Sequence, residues 1–180
     1  MYDDQRTIVT SREITARLVP SGTPVIVPKG SFVNLRQSLG GSYTVTLNGN
    51  MLRIDGTDAE AIGQQPLEFH FHDAADGQVS EEDVWQVLST IFDPEIPVNI
   101  VSLGLVYGCD IIRRDDQNVV QIRMTLTAPT CGMGSVLTGD VEDRVGKVPN
   151  VDKVEVEIVF DPPWTYDNLS EEAQIELGLF

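Results

Sequence analysis

The residue best suited for chemistry in this sequence is Cys131. An alternating run, Met124-Thr125-Leu126-Thr127, leads through Ala128-Pro129-Thr130 to the cysteine, and an amphipathic segment follows Gly132 and Gly134. Thr130 suits a helix N-cap. A thiol in the first helical turn feels the positive end of the helix dipole and the free N–H groups, which favour thiolate over thiol. Thiolate is a nucleophile, and it is the soft ligand that iron and iron–sulfur clusters take. The alternative is a buried structural cysteine, the common fate of a free thiol. Thr130, Gly132 and Gly134 make a poor apolar pocket, which favours the functional reading.

Two further stretches carry candidate groups. DPEIPVNIVSLGLVY (93–107) puts the carboxylates of Asp93 and Glu95 on a loop stiffened by Pro94 and Pro97. They are placed either for acid–base work or a hard metal ion, or simply to end the preceding helix in a turn. Asp161-Pro162-Pro163-Trp164 presents a tryptophan after two prolines, as a partner anchor or as a cover for the core. Cys109, between Gly108 and Asp110, reads as packing inside a strand. His70 and His72 share one face if residues 66–71 form a closing strand. They are half a metal site, and without another histidine or a nearby cysteine a solvated edge strand is the better reading.

The elements that must position these groups fall into two parts. Residues 1–15 are polar without a clear period and read as a loose arm or a short helix. From about residue 17 to 56 short β-rich runs alternate with breaks at Lys29-Gly30 and Leu39-Gly40-Gly41-Ser42. Asn48-Gly49 between two such runs is a strong hairpin signal, because a type I′ turn needs positive φ at both central residues. Residues 58–63 add a helical turn. The small polar stretch 73–78 marks a boundary, giving an N-terminal β-rich module (1–76) and a second domain (77–180).

In the second domain Ser80-Glu81-Glu82-Asp83 opens a helix. Val84, Val87, Leu88 and Ile91 follow at i, i+3, i+4 and i+7. Strands are expected at 103–112, 119–126 and 151–160. A helix after Cys131 carries apolar residues at 133, 136, 137, 141, 145 and 148 and ends at Pro149. Ser170-Glu171-Glu172 starts a last helix with Ala173, Leu177 and Phe180 on one face. The fold class is therefore α+β: a small antiparallel β module, then a compact α-β-β-α-β domain with a C-terminal helix.

Composition narrows the function. The chain has 180 residues, 41 % of them hydrophobic, which is enough for a core. The formal charge is −16. Residues 1–76 carry six Lys/Arg against nine Asp/Glu, and residues 77–180 six against nineteen. Such a surface repels nucleic-acid phosphates. No apolar run approaches the ~20 residues of a membrane span. No signal peptide is evident at MYDDQRTIVT, which implies a cytoplasmic protein with two reduced thiols. A closed zinc site is not expected from this ligand set.

Taken in order, DPEIPVNIVSLGLVY (93–107), MTLTAPTCGMG (124–134), VDKVEVEIVFDPPW (151–164) and LSEEAQIELGLF (169–180) resemble the metal–sulfur cluster biosynthetic family, and within it the SufT type. VIVPKGSFVNLRQSLGGSYTV (25–45) and RIDGTDAEAIG (53–63) are similar to the extra module of that type. The resemblance implies an auxiliary factor in the maturation of iron–sulfur proteins, not a turnover enzyme, with its functional cysteine at Cys131. It implies work beside cluster scaffolds or carriers and client apoproteins. Many relatives have Asp where this chain has Ser102, which would shift any carboxylate role there to Asp93 or Glu95.

A single thiolate cannot hold a cluster, which takes about four ligands. The expectation is a transient cluster or iron at Cys131, none permanently bound, shared across a homodimer or with a partner. The competing readings are a pure adaptor of the iron–sulfur machinery, acting through DPPW and the acidic surface, and a cysteine-dependent thiol enzyme. The enzyme needs a base that the sequence does not place near Cys131.

Overall fold

A computed structural model describes residues 6–39, 41–93, 96–128 and 134–179. The fold is α+β, in two compact units, Met1–Glu68 and Phe69–Phe180. The polar stretch 73–78 lies within the second unit, because Phe69 and Phe71 pack against its core.

The first unit is one antiparallel sheet of β1 (Thr7–Val9), β2 (Ile14–Leu18), β3 (Pro24–Val27), β4 (Phe32–Leu39), β5 (Ser42–Leu47) and β6 (Asn50–Asp55), in the order β1-β4-β5-β6-β2-β3. The β5–β6 hairpin turns at Asn48 (φ 50°) and Gly49 (φ 81°), the left-handed pair that Asn-Gly tolerates. Ile14, Val27, Val33, Val45, Leu52 and Ile54 alternate inward to form the core. After β6 a 3₁₀ turn spans Gly56–Ile62. Asp55 caps it by accepting from the Thr57 N–H, and Gly63 (φ 72°) closes it. Gly56 is required here, since any Cβ would strike the Gly41 carbonyl.

Two expectations change in this part of the chain. Within residues 1–15, 7–9 and 14–15 are strand rather than loose arm or helix. Three residues are too few to show a period, but Thr7, Ile8 and Val9 find β4 as a ladder partner opposite Asn34, Val33 and Phe32. Residues 66–71 are not a strand. Their alternation reflects Phe69 and Phe71, which stack at 5.4 Å and both turn to the second core, with no backbone ladder beside them.

The second unit runs α1 (Glu81–Leu88), β7 (Val106–Arg114), β8 (Gln117–Met124), α2 (Gly134–Val145), β9 (Lys153–Ile158) and α3 (Glu171–Glu176). Its sheet has the order β7-β8-β9: β7 and β8 pair antiparallel, β8 and β9 parallel across α2. A connection of this length is what parallel neighbours need. The β7–β8 turn places Asp115 and Asp116 at φ 51° and 61°. Ser80 caps α1 by accepting from the Asp83 N–H, and Ser170 caps α3 from the Ala173 N–H. Val84, Val87, Leu88 and Ile91 meet Val120, Ile122 and Met124 of β8 and Leu137, Val141 and Val145 of α2 in one buried cluster.

Three boundaries are shorter than the periodicity suggests. The strand expected from Leu103 starts at Val106, because Gly104 (φ 73°) turns the chain before it. α2 stops at Val145 and continues as turns through Val148, which is still buried, so the apolar spacing outlasts the helix. β9 ends at Ile158, short of Phe160.

Candidate functional site

Loops of the second unit gather around the C-terminal end of β8. The stretch after α1 is folded on itself. Asp93 is buried (2 % exposed) and its Oδ1 accepts from the Ile96 N–H at 2.9 Å. The Asp93 N–H reaches the Val98 carbonyl, and the Ile100 N–H reaches the Ile91 carbonyl. Asn99 grips Ser102 twice: its Oδ1 accepts from the Ser102 N–H at 2.9 Å, and its Nδ2 donates to the Ser102 hydroxyl at 3.1 Å. Asp93 thus fixes the turn into Ile96. Ser102 presents a hydroxyl held by Asn99.

The DPPW stretch closes over that loop. The Trp164 indole N–H donates to the Leu103 carbonyl at 2.6 Å, and the ring packs partly buried on the core. The Tyr107 hydroxyl donates to the Pro162 carbonyl at 2.7 Å, and the Ser170 N–H reaches the Ser102 carbonyl at 2.9 Å. Gly104 is pressed against the backbone of Asn168, where no Cβ fits. Asp161, Pro162 and Pro163 are exposed, with a cis bond between Asp161 and Pro162. Asn99, Gly104, Tyr107 and Asn168 carry this closure and were not singled out in the sequence. Tyr107 meets the Pro162 carbonyl and Gly104 the Asn168 backbone, far along the chain, which leaves no local signal; Asn99 bonds Ser102 three residues on, a local Asx-type contact that was open to sequence reasoning.

The third stretch arrives along β8. The Thr125 N–H donates to the Leu105 carbonyl at 2.8 Å, and Leu126 lies against Gly134 at the start of α2. The Thr125 hydroxyl is fully buried and meets no hydrogen-bond partner, alone in this among the described residues. A buried hydroxyl of this kind costs roughly 1–3 kcal/mol. Pro94, Glu95, Thr130 and Cys131 lie outside the described residues. The structure thus joins two of the three stretches directly, 93–107 with 161–170, and brings the described start of the third against the first.

The remaining candidates are occupied elsewhere. Burial, then the nearby Glu81 and Asp110 charges, push the Cys109 thiol up to about 11, so it stays protonated. The His72 backbone N–H donates to Asp83 Oδ2, and the His72 Nδ1 lies 2.7 Å from Asp83 Oδ1. That hydrogen bond, with the Asp83 and Glu82 charges, raises the imidazole above its ordinary value. Among the described residues no group of three His, Cys, Asp or Glu side chains is arranged to hold a metal ion. No described helix is long and apolar enough to cross a membrane.

A compact α+β unit whose motif-bearing loops are locked together at one end of a three-stranded sheet is the class of protein defined here. The iron-sulfur cluster assembly protein family matches residues 81–158, inside that unit. The Fe-S protein maturation auxiliary factor of Porphyromonas gingivalis is 42 % identical over 99 residues, which are 55 % of this chain and 91 % of the relative. The Fe-S protein maturation auxiliary factor SufT of Staphylococcus aureus is 40 % identical over 89 residues, 49 % of this chain and 98 % of that protein. A solved structure, a conserved hypothetical protein of Thermotoga maritima, is 41 % identical over 57 % of this chain and 97 % of its own, with a TM-score of 0.49. This chain belongs to the iron-sulfur cluster assembly protein family.

Proposed function

We propose that this protein is an auxiliary factor in the maturation of iron–sulfur proteins and acts through Cys131. The observation that carries the reading is family membership, matched over 81–158 within the second unit, a span that includes Cys131 in the segment between β8 and α2. Iron or a cluster is cargo, taken at the Cys131 sulfur and passed on, or Cys131 marks the point where clients dock. No step of bond making on a turned-over substrate is assigned, so the protein is not an enzyme in this reading.

One thiolate leaves a cluster short of ligands. Cys109 is protonated and half-buried, and His72 is engaged by Asp83. The missing ligands therefore come from a second copy in a homodimer, from a scaffold or carrier, from a client apoprotein, or from a small thiol. The adaptor reading has its own support, since the locked loops of 93–107 and 161–170 form a rigid surface that needs no thiol.

The test uses a strain lacking the protein under high demand for clusters, with aconitase activity as the readout. Cys131→Ala is expected to leave that activity at the level of the deletion. Full restoration by Cys131→Ala would remove the thiol from the mechanism. Iron and sulfide analysis after anaerobic purification then separates cargo binding from client docking.

A further inference from the structure

Beside the locked loops lies an open apolar groove. Ile96, Pro97, Tyr166, Leu177 and Leu179 line a hollow of about 310 Å³. A second hollow of about 500 Å³ shares Tyr166 and Leu179 and extends to Gln174. Tyr166 is 62 % exposed and Leu179 41 %, so neither is covered in this chain. Walls this open do not enclose a small ligand, which sites of this volume normally bury almost entirely. They suit a row of side chains from another polypeptide, in the manner of an amphipathic helix laid into a groove.

The rim specifies the charge of that polypeptide. The lining residues fall at 96–97 and 166–179, and the chain around them, 77–112 and 154–180, contains no Lys or Arg. Asp167 lines the adjoining second hollow, and Glu171, Glu172 and Glu176 are exposed on α3. A second copy of a chain with net charge −16 is a poor occupant for such a rim, and so is any acidic segment.

We infer that this groove is a docking site for a basic amphipathic helix of a partner protein, its apolar face against Tyr166, Leu177 and Leu179 and its Lys/Arg flanks facing the acids of α3. This rests on the auxiliary-factor reading and gives the client or carrier a recognisable chemistry: a Lys/Arg-rich amphipathic segment. Docking here needs nothing from Cys131, so a partner is held while the thiol works or waits. Tyr166 supplies the kind of exposed aromatic anchor that dominates such interfaces.

The test is fluorescence anisotropy on the full chain with three labelled peptides: a Leu/Lys amphipathic helix, a Leu/Glu helix with the same apolar face, and a Ser/Lys peptide with the same charge. The Leu/Lys peptide is expected to bind at least tenfold more tightly than the other two and to weaken with added salt. Leu179→Asp and Tyr166→Ser, each checked for an unchanged melting curve, should each weaken it at least tenfold. Phe32→Ser, an exposed apolar site in the first unit, and Cys131→Ala should leave it unchanged.

Equal binding of the Leu/Glu or Ser/Lys peptide, or full binding by both groove variants, overturns the inference. So does a dimer in sedimentation that Leu179→Asp dissociates, since a second copy would then fill the groove. The aconitase readout with Cys131→Ala is independent of all these arms. A lost groove with a surviving Cys131 effect refutes the docking site and leaves the maturation role standing, and the reverse result does the opposite.

Discussion

The two units bury polar side chains to different ends. In the first, the Thr10 hydroxyl donates to the Pro28 carbonyl and accepts from the Ser31 N–H, and Asp55 caps the turn that follows β6. These bonds close turns of the sheet onto the sheet. In the second, Asp83 fixes His72, Asp93 fixes Ile96, and the fully buried Arg144 donates to the Thr90 carbonyl at 2.7 Å. Each holds a segment that is neither helix nor strand. The first unit is a sheet that completes itself. The second is a scaffold whose buried polar groups hold loops in place, as a binding site on loops requires. The family match lies within the second unit only.

Two glycines test that comparison most severely. A Cβ at Gly56 would strike the Gly41 carbonyl, and one at Gly104 would strike the Asn168 carbonyl in a backbone already at φ 73°. Both obstacles are main chain and cannot swing aside. Each Gly→Ala change is expected to cost about 4 kcal/mol, at the upper end for single substitutions. Urea unfolding followed by circular dichroism should show Gly56→Ala lowering one transition and Gly104→Ala the other. If either variant shifts both transitions together, the chain folds as one cooperative body and the contrast between units is lost.

Trp164→Phe comes next. It keeps most of the ring packing but leaves the Leu103 carbonyl without its indole donor. A loss of about 1–2 kcal/mol is expected in the second unit. Hydrogen exchange should then quicken at the Ser170 and Leu103 amides, which belong to the same closure. Unchanged exchange there would mean that Trp164 only covers the core and does not tie the two loops.

How far the sequence disclosed all this depends on the range of each interaction. α1 was readable from its Ser80 cap to Leu88 because cap and apolar face lie within eight residues of one another, although the spacing ran on to Ile91, past the helix end. The Asn48-Gly49 hairpin was readable for the same reason. β1 was not, since three residues carry no period and their partner β4 is far away in the chain. Phe69 and Phe71 misled because alternation is a necessary mark of a strand but not a sufficient one. At the site, Trp164 and Asp93 were visible as residue types. That one meets the carbonyl of Leu103, 61 residues away, is a fact of topology that no local pattern encodes. Tyr107 was missed on the same ground; Asn99, whose partner Ser102 is three residues on, was within reach of local reasoning.

His72 offers a pH readout of the second unit alone. Its imidazole is raised by the hydrogen bond to Asp83. A group whose folded value lies above its unfolded value of about 6.5 adds stability that is full below that value. The contribution fades as pH rises through the folded value. His72→Gln should therefore destabilise the second unit in mild acid and become neutral in mild alkali, with the first unit indifferent throughout. Asp83→Asn should bring the imidazole titration, followed by NMR, back toward about 6.5. A flat difference between His72→Gln and the parent across that range would show that the Asp83 contact is no charge pair.

The smallest expected effect on stability is the most informative about the site. Thr125 lies one residue past β8 with a buried hydroxyl that bonds to nothing, while its own N–H holds the Leu105 carbonyl. Thr125→Val keeps the shape and the N–H and removes only the unpartnered oxygen. Where a buried polar group has no partner, its removal is neutral or stabilising, here by up to about 1 kcal/mol. Use of this hydroxyl in another state, such as one with cargo or a partner in place, is then open to test. If so, Thr125→Val should melt no lower than the parent yet fail to restore aconitase activity in the deletion strain, while Thr125→Ser restores it. A valine variant that is both stable and fully active would make the oxygen an idle feature of the core, and the loops alone would then carry the contrast between the units.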